Sequence, residues 1–397
     1  MKLNLAQRIQ AVPPSATLAV SAKAARMKAE GIDVVGFGAG EPDFDTPQFI
    51  KDAAKTALDA GDTKYNARQA AGLVRAIVDK LARENSLQVE PSQVIVTFGG
   101  KHALYAACQV LVDLGDKVAI PAPYWVSYPE MVKLAGGEPM ILPTTAYGGF
   151  KITPEQVLDA ARAGAKIIIL NSPSNPTGVA YTPEELKALA DAVLKTEMAI
   201  FSDEIYEKLI YGQTRFVSFA ALDSRLPART ITFNGLAKTY SMTGWRLGWS
   251  AGPKDVIEAM KRHMSHETSD CVSFAVAGAA AAYTDPRGPA AIEAMRLEFE
   301  RRAMHMAGRL SAIPGVQCVR PDGAFYCFPV VSEHYGRTIG GRVVTDSFAL
   351  SEALLESAKV AVVPGGAFGN DACIRLSFAT SMQQIDKGLD RLAAALK

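Results

Sequence analysis

No stretch of 18 or more apolar residues occurs in this 397-residue sequence, so no membrane-spanning helix is expected. Neither sign of charge prevails: 42 Lys and Arg stand against 41 Asp and Glu, a net charge of +1. Nucleic-acid binding needs a concentrated basic face, so no such partner is expected. Cysteine is scarce. The five (Cys108, Cys271, Cys318, Cys327 and Cys373) are odd in number, scattered and without CxxC or Cys/His ligand spacing. That argues against a disulfide framework and a zinc module. They read as free thiols of a reducing, cytoplasmic compartment. The opening MKLNLAQRIQ has no apolar h-region, so no signal peptide is expected. Repeats, low-complexity tracts and long disordered linkers are missing, which excludes a solenoid. With 49% hydrophobic residues, the chain is long enough to bury a large core without staples.

What is present is alternation. Apolar segments at 94–98, 117–120, 139–142, 166–170, 198–202, 230–233 and 246–251 are separated by helical patterns. Several, such as KIIIL, are unbroken apolar runs, which suits strands buried on both faces of a mainly parallel sheet. Thr153-Pro154-Glu155-Gln156 and Thr182-Pro183-Glu184-Glu185 fit capping boxes with proline at the first helical position. Thr46-Pro47 opens another helix, expected to end at Gly61. These signals predict an α/β fold: a mainly parallel seven-stranded sheet flanked by helices, with a smaller α+β domain. The long helical pattern at 292–310 marks the change. Residues 46–290 are expected to form the large domain, 291–397 the connecting helix and small domain, and 1–45 to pack with the latter.

Ligands of open parallel sheets gather beyond the C-terminal strand ends. The sequence puts Gly99-Gly100-Lys101 after the first strand, Trp125 after the second and Asn175 after KIIIL. Asp203 and Tyr206 follow the next strand, then come Lys238 and Arg246. Each has a use if the ligand is pyridoxal 5′-phosphate. A lysine forms the Schiff base. An anionic aspartate keeps the pyridine nitrogen protonated, so the ring accepts electrons. A phosphate takes free amides at a helix start plus an arginine, and a flat ring takes an aromatic face. Each residue alone has a plainer reading. Asp203 can cap a helix starting at Glu204, Asn175 can serve a turn, and Trp125 and Tyr206 can be core. Three further motifs are set aside. GWSAG at 248–252 fits a nucleophile elbow, but Ser250 is expected inside a strand. GFGAG at 36–40 has Glu41 where a dinucleotide fingerprint needs glycine. His263 and His266 lack a third ligand, so no metal is expected.

Together, PPSATLAV, AGEPDFDTP, KY, GGK, PYWVSYPEM, NSPSNPTG, SDEIY, AKTYSMTGWR and IRLSFAT resemble the fold-type I pyridoxal-phosphate aminotransferases of classes I and II. Within these they resemble the bacterial subgroup Ib aspartate aminotransferases. The stretches span nearly the whole chain in order. The resemblance implies that Lys238 holds the cofactor and is the base and acid of the proton shift. Asp203 would pair with the ring nitrogen, Asn175 and Tyr206 with the phenolic oxygen, and Trp125 would stack. Gly99, Gly100, Lys101 and Arg246 would surround the phosphate. Tyr65 would reach the phosphate of a neighbouring subunit, which implies a homodimer with shared active sites. Arg375 would clamp the substrate α-carboxylate, with Gly40, Trp125 and Asn175 alongside. Thr17 and Lys101 would receive a distal carboxylate. The implied reaction moves an amino group between L-aspartate, or another amino acid, and 2-oxoglutarate by a ping-pong Schiff-base mechanism. Aromatic or prephenate transamination, a C–S lyase and a transcription regulator remain alternatives on the same fold.

Three places depart from the family pattern. Gly235 stands where serine is common, so phosphate binding is expected to draw on Ser241 or others. The loop after Tyr65 carries Arg68, expected to border the partner's active site and influence substrate choice. His102 follows GGK where glutamine is usual.

Overall fold

The computed structural model describes residues 3–65 and 67–397, with backbone alone for 67–69. Arg68, singled out above, thus has a side chain outside the described residues. Seven strands form the central sheet: β1 Val94–Thr97, β2 Lys117–Pro121, β3 Glu138–Leu142, β4 Ala165–Asn171, β5 Ala199–Asp203, β6 Thr230–Gly235 and β7 Gly248–Ala251. Their order is β1-β7-β6-β5-β4-β2-β3. Every neighbouring pair is parallel except the two made by β7. The seven-stranded, mainly parallel expectation is met. The apolar run of β4 shows why: Ile167, Ile168, Ile169 and Leu170 are all buried, so both faces are covered.

The direction of β7 matters most for the site. Being antiparallel, its N-terminal end lies at the edge where its neighbours have their C-terminal ends. Arg246, two residues ahead of β7, is thereby delivered to that edge. The strand expected from 246 begins only at Gly248, because Arg246 is left-handed (φ +54°) after the tight turn Thr243–Trp245.

Both predicted capping boxes form. Thr153 Oγ1 accepts from the Gln156 amide, and Gln156 Oε1 accepts from the Thr153 amide. Thr182 and Glu185 do the same. The helix after Pro47 runs Gln48–Asp59 and turns Phe49, Ile50, Ala54 and Ala57 inward. No helix starts at Glu204, so Asp203 is not a helix cap and Tyr206 sits in a turn. Asp203 Oδ1 instead accepts from the Ile205 amide at 3.2 Å.

The helix Gly288–Ser311 sends Met295, Phe299, Met306 and Leu310 into a second core. It shares this core with a three-stranded antiparallel sheet of Val363–Pro364, Ile374–Ser377 and Tyr326–Cys327. The N-terminal segment meets the same body. Val35–Gly36 pairs in parallel with Val360–Ala361, and Asp33 bridges Lys387 and Arg391. Among the described residues, no helix is long and apolar enough to cross a membrane.

Candidate active site

A cavity of about 340 Å³ opens at the C-terminal edge of the sheet. Eleven of the predicted residues line it: Thr17, Gly40, Gly100, Lys101, Trp125, Asn175, Asp203, Tyr206, Lys238, Arg246 and Arg375. Gly99 lies just behind. Its φ is +86°, and a side chain there would meet the Arg246 guanidinium at 2.7 Å. Tyr65 is not brought to this cavity. It is 83% exposed and borders a separate cavity near Cys271.

The loops are tied across the cavity by polar contacts. Asn171, at the end of β4, donates through Nδ2 to the Asp203 carbonyl at 3.0 Å and accepts from the Asn175 amide at 2.9 Å. Asn175 Oδ1 accepts from Arg375 Nη1 at 3.0 Å, while Arg375 Nη2 donates to the Gly38 carbonyl at 2.9 Å. Lys238 Nζ donates to the Gly40 carbonyl at 2.5 Å. The AGEPDFDTP stretch is thus a clamp across the site. Glu41 accepts from Thr243 at 2.7 Å, and Thr46 donates to the Ser241 carbonyl at 2.7 Å.

Burial sets the electrostatics. It pushes the Lys238 amine down to about 8, with Arg375 and Arg246 adding to the shift and Glu41 opposing it. It pushes the Asp203 carboxyl up to about 6, opposed by the Tyr128 hydroxyl, which donates at 2.5 Å. Arg375 is buried and sandwiched, its guanidinium carbon 4.6 Å from the Tyr326 ring centre and 5.0 Å from that of Phe368. Its Nε is buried with no partner among the described residues. Lys101 keeps part of its surface exposed, yet its ammonium lies 4.9 Å from the Trp125 ring centre. Desolvation there, and then Arg246, lower its pKa.

The anion-binding end is built on glycine. The first hydrogen bond of the helix Gly100–Leu111 is from the His102 amide to the Gly99 carbonyl, so the Gly100 and Lys101 amides precede it. A side chain at Gly248 would lie 2.4 Å from the Gly100 nitrogen. One at Gly235 would lie 3.0 Å from the Gly248 Cα and 3.1 Å from the Leu247 carbonyl. A side chain at Gly235, the last residue of β6, would therefore press on the backbone of β7 and the residue before it. The expectation for Ser241 is corrected. Its hydroxyl points to Met295 Sδ at 3.3 Å, and it does not line the cavity.

Sequence reasoning gave no role to Tyr128, Tyr326 or Asn171. Tyr326 is buried, and its hydroxyl lies 3.0 Å from that of Tyr206. Tyr128 sat inside the quoted PYWVSYPEM stretch, three residues after Trp125, and that proximity was the available signal. Tyr326 had none, because a two-residue strand in another part of the chain delivers it. The set-aside motifs stay outside the chemistry. Ser250 is buried inside β7. His263 faces Glu267, and no metal-holding cluster exists among the described residues.

These residues fit pyridoxal phosphate on their own terms. Among the described residues no cation is paired with the buried Asp203 carboxylate, a lysine amine is made reactive, and a glycine-lined turn offers amides beside an arginine. With the parallel sheet, they define a fold-type I pyridoxal-phosphate enzyme. The sequence matches the family model for aminotransferase class I and II over residues 32–392. It is 50% identical to an aspartate aminotransferase of Geobacillus stearothermophilus, over 98% of each chain. It is 45% identical to an aspartate/prephenate aminotransferase of Cereibacter sphaeroides, again over 98% of each. The solved structure of Thermus thermophilus aspartate aminotransferase with maleate superposes with a TM-score of 0.92 at 41% identity, over 99% of this chain and 100% of that one. The chain belongs to the class I and II aminotransferases. It is a pyridoxal-phosphate-dependent enzyme acting on amino and 2-oxo acids.

Proposed function

We propose that the enzyme moves the amino group of L-aspartate to 2-oxoglutarate. One observation carries the choice of dicarboxylates. Four cations line the cavity (Lys101, Lys238, Arg246 and Arg375) against one carboxylate, Asp203. A cofactor phosphate answers part of that excess, and a substrate with two carboxylates answers the rest. The Thermus relative, described with the dicarboxylate maleate, supports the same reading.

When bound, pyridoxal phosphate supplies an aldehyde carbon for the amino group and a ring that spreads the charge left when the α-proton departs. The remaining work is assigned to this chain. Gly99, Gly100, Lys101 and Arg246 hold the phosphate. Asp203 holds the proton on the ring nitrogen, and that cation in turn keeps Asp203 ionised. Asn175 and Tyr206 orient the phenolic oxygen, and Trp125 covers the ring face. Lys238 is the catalytic residue: its amine would hold the aldehyde carbon until the substrate amine displaces it, and the freed amine would then take and return the α-proton. Arg375 takes the α-carboxylate in two parallel bonds, a geometry lysine cannot offer. Gly40 lies beside it, and Thr17 with Lys101 receives the distal carboxylate.

We assign residues 46–290 to the large cofactor domain, and 291–397 with 1–45 to the small one. We also propose a cytoplasmic homodimer in which Tyr65 reaches the partner's phosphate. A second reading, a ring-bearing acceptor such as prephenate, is supported by the Cereibacter relative's name and by Leu18, which borders the cavity yet is 71% exposed.

The test is the absorption spectrum of the purified protein. L-aspartate alone should shift the bound chromophore's band, and 2-oxoglutarate should restore it. A band that aspartate leaves unchanged would reject the substrate and send the search to aromatic amino acids. Restoration by prephenate in place of 2-oxoglutarate would favour the second reading.

A further inference from the structure

Phe98, at the head of the glycine turn, is gripped from two sides. Toward the cavity, Arg246 Nη2 donates to its carbonyl at 3.3 Å. On the outer side, its amide donates to His102 Nδ1 at 3.1 Å. The other nitrogen of that imidazole, Nε2, lies 3.0 Å from a Glu267 carboxylate oxygen. Glu267 is the last residue of the helix Lys254–Glu267, and the same oxygen also faces His263 Nδ1 at 3.2 Å. The Phe98 bond requires a lone pair on Nδ1, so the hydrogen of the neutral ring sits on Nε2 and is donated to Glu267. Glu267 therefore selects the tautomer that can hold Phe98.

This grip bears on the amides that follow. The Gly99 amide donates to the Thr97 carbonyl at 2.8 Å, and Thr97 Oγ1 donates to the Gly99 carbonyl at 3.1 Å. The Gly99 carbonyl, in the same peptide as the Gly100 amide, also accepts from the His102 and Ala103 amides, so His102 holds the turn twice, through its ring at Phe98 and through its backbone at Gly99. Loss of the ring bond would leave the Phe98 amide unpaired and loosen the turn that aims the Gly100 and Lys101 amides. Neither His102 nor Glu267 lines the cavity, so they act only through this turn.

We infer that His102, oriented by Glu267, is a positioning residue that holds the Gly100 and Lys101 amides in register for a phosphate. The inference rests on reading this turn as the cofactor's phosphate cradle. The test compares the affinity of the apoenzyme for pyridoxal phosphate and for pyridoxal, by equilibrium dialysis. His102→Leu should weaken pyridoxal phosphate by about tenfold, the effect of one amide left unpaired, with pyridoxal changed by less than about twofold. His102→Gln, whose amide can accept from Phe98 and donate to Glu267, should recover affinity to within about threefold of wild type. Glu267→Ala, at an exposed helix end, should weaken pyridoxal phosphate by about threefold and leave pyridoxal alone. This variant carries the test if His102→Leu does not fold. Equal losses for both ligands would overturn the inference. So would His102→Gln performing no better than His102→Leu, or Glu267→Ala binding as wild type does. Failure of the underlying reading looks different: wild-type apoenzyme would then hold pyridoxal as tightly as pyridoxal phosphate.

Discussion

Asp203 is a buried carboxylate that accepts, among the described residues, from two neutral donors, the Tyr128 hydroxyl and the Ile205 amide, with the Lys238 charge acting from further off. Burial raises it to about 6 from 3.8, so the folded apoprotein holds this proton more tightly than the unfolded chain. Its contribution to stability is therefore lost as pH rises from about 4 to about 6. Lys238 runs the other way. Lowered to about 8 from 10.5, it costs stability below about 8, and the cost fades as pH climbs toward about 10.5. The Asp203→Asn apoprotein should thus be more stable than wild type at pH 7.5, by about 2 kcal/mol in denaturant unfolding, while transamination is lost. A variant no more stable than wild type would show that Asp203 carries no such penalty. Lys238→Ala should reduce turnover by more than about a thousandfold while pyridoxal phosphate still binds in dialysis. Retained turnover would remove Lys238 from its role.

Elements are pinned to the site by buried polar pairs as well as by apolar packing. Lys80, on the helix Ala67–Asn85, pairs with Glu207 in the turn after β5, and both are buried. Asn85 donates to the other Glu207 oxygen at 2.8 Å. Lys80→Met would leave Glu207 uncompensated and should cost about 3–5 kcal/mol, measured by chemical denaturation. A loss under about 1 kcal/mol would mean that water reaches the carboxylate. Gly235→Ser, a change toward the family pattern, should lower stability by about 1–3 kcal/mol, because its Cβ would press on Gly248. Elements of this kind differ in how well they can be read. β4 was legible because an unbroken apolar run has few other destinations, and the capping boxes because a threonine and a residue three further on satisfy each other locally. The segment holding Tyr206 reads as helix from its sequence but forms a turn: Glu207 and Leu209 bond back only three residues, to Glu204 and Tyr206, while the Glu204 and Ile205 amides go to β6 and to Asp203. The Ser241 hydroxyl was misplaced for a similar reason: Met295, 54 positions away, decides where it points.

At the scale of the whole molecule, the surface carries aromatic and aliphatic groups with no partner in the described chain. Tyr65 is 83% exposed, Leu3 80% and Leu5 67%. The homodimer proposed above would bury such groups and lend Tyr65 to its neighbour. Hybrids provide the check. Lys238→Ala and Tyr65→Ala proteins, dissociated and reassociated in equal amounts, should regain about a quarter of wild-type activity. Half the dimers are then mixed, and each has one intact site. Activity no higher than that of either parent would reject shared sites.

The proposed clamp on the substrate carboxylate ties together residues 337 positions apart, Gly38 and Arg375. Closure of so long a loop waits on nearly everything between. On the ribosome, β1 through β7 can assemble once the helices Lys254–Glu267 and Ser273–Thr284, which cover the sheet's faces, are free, so a cofactor cradle can exist before a substrate site does. A stalled chain could then sequester vitamin B6 without turning over amino acids. Such intermediates would have to be cleared by proteolysis, because lack of activity alone would not reveal them.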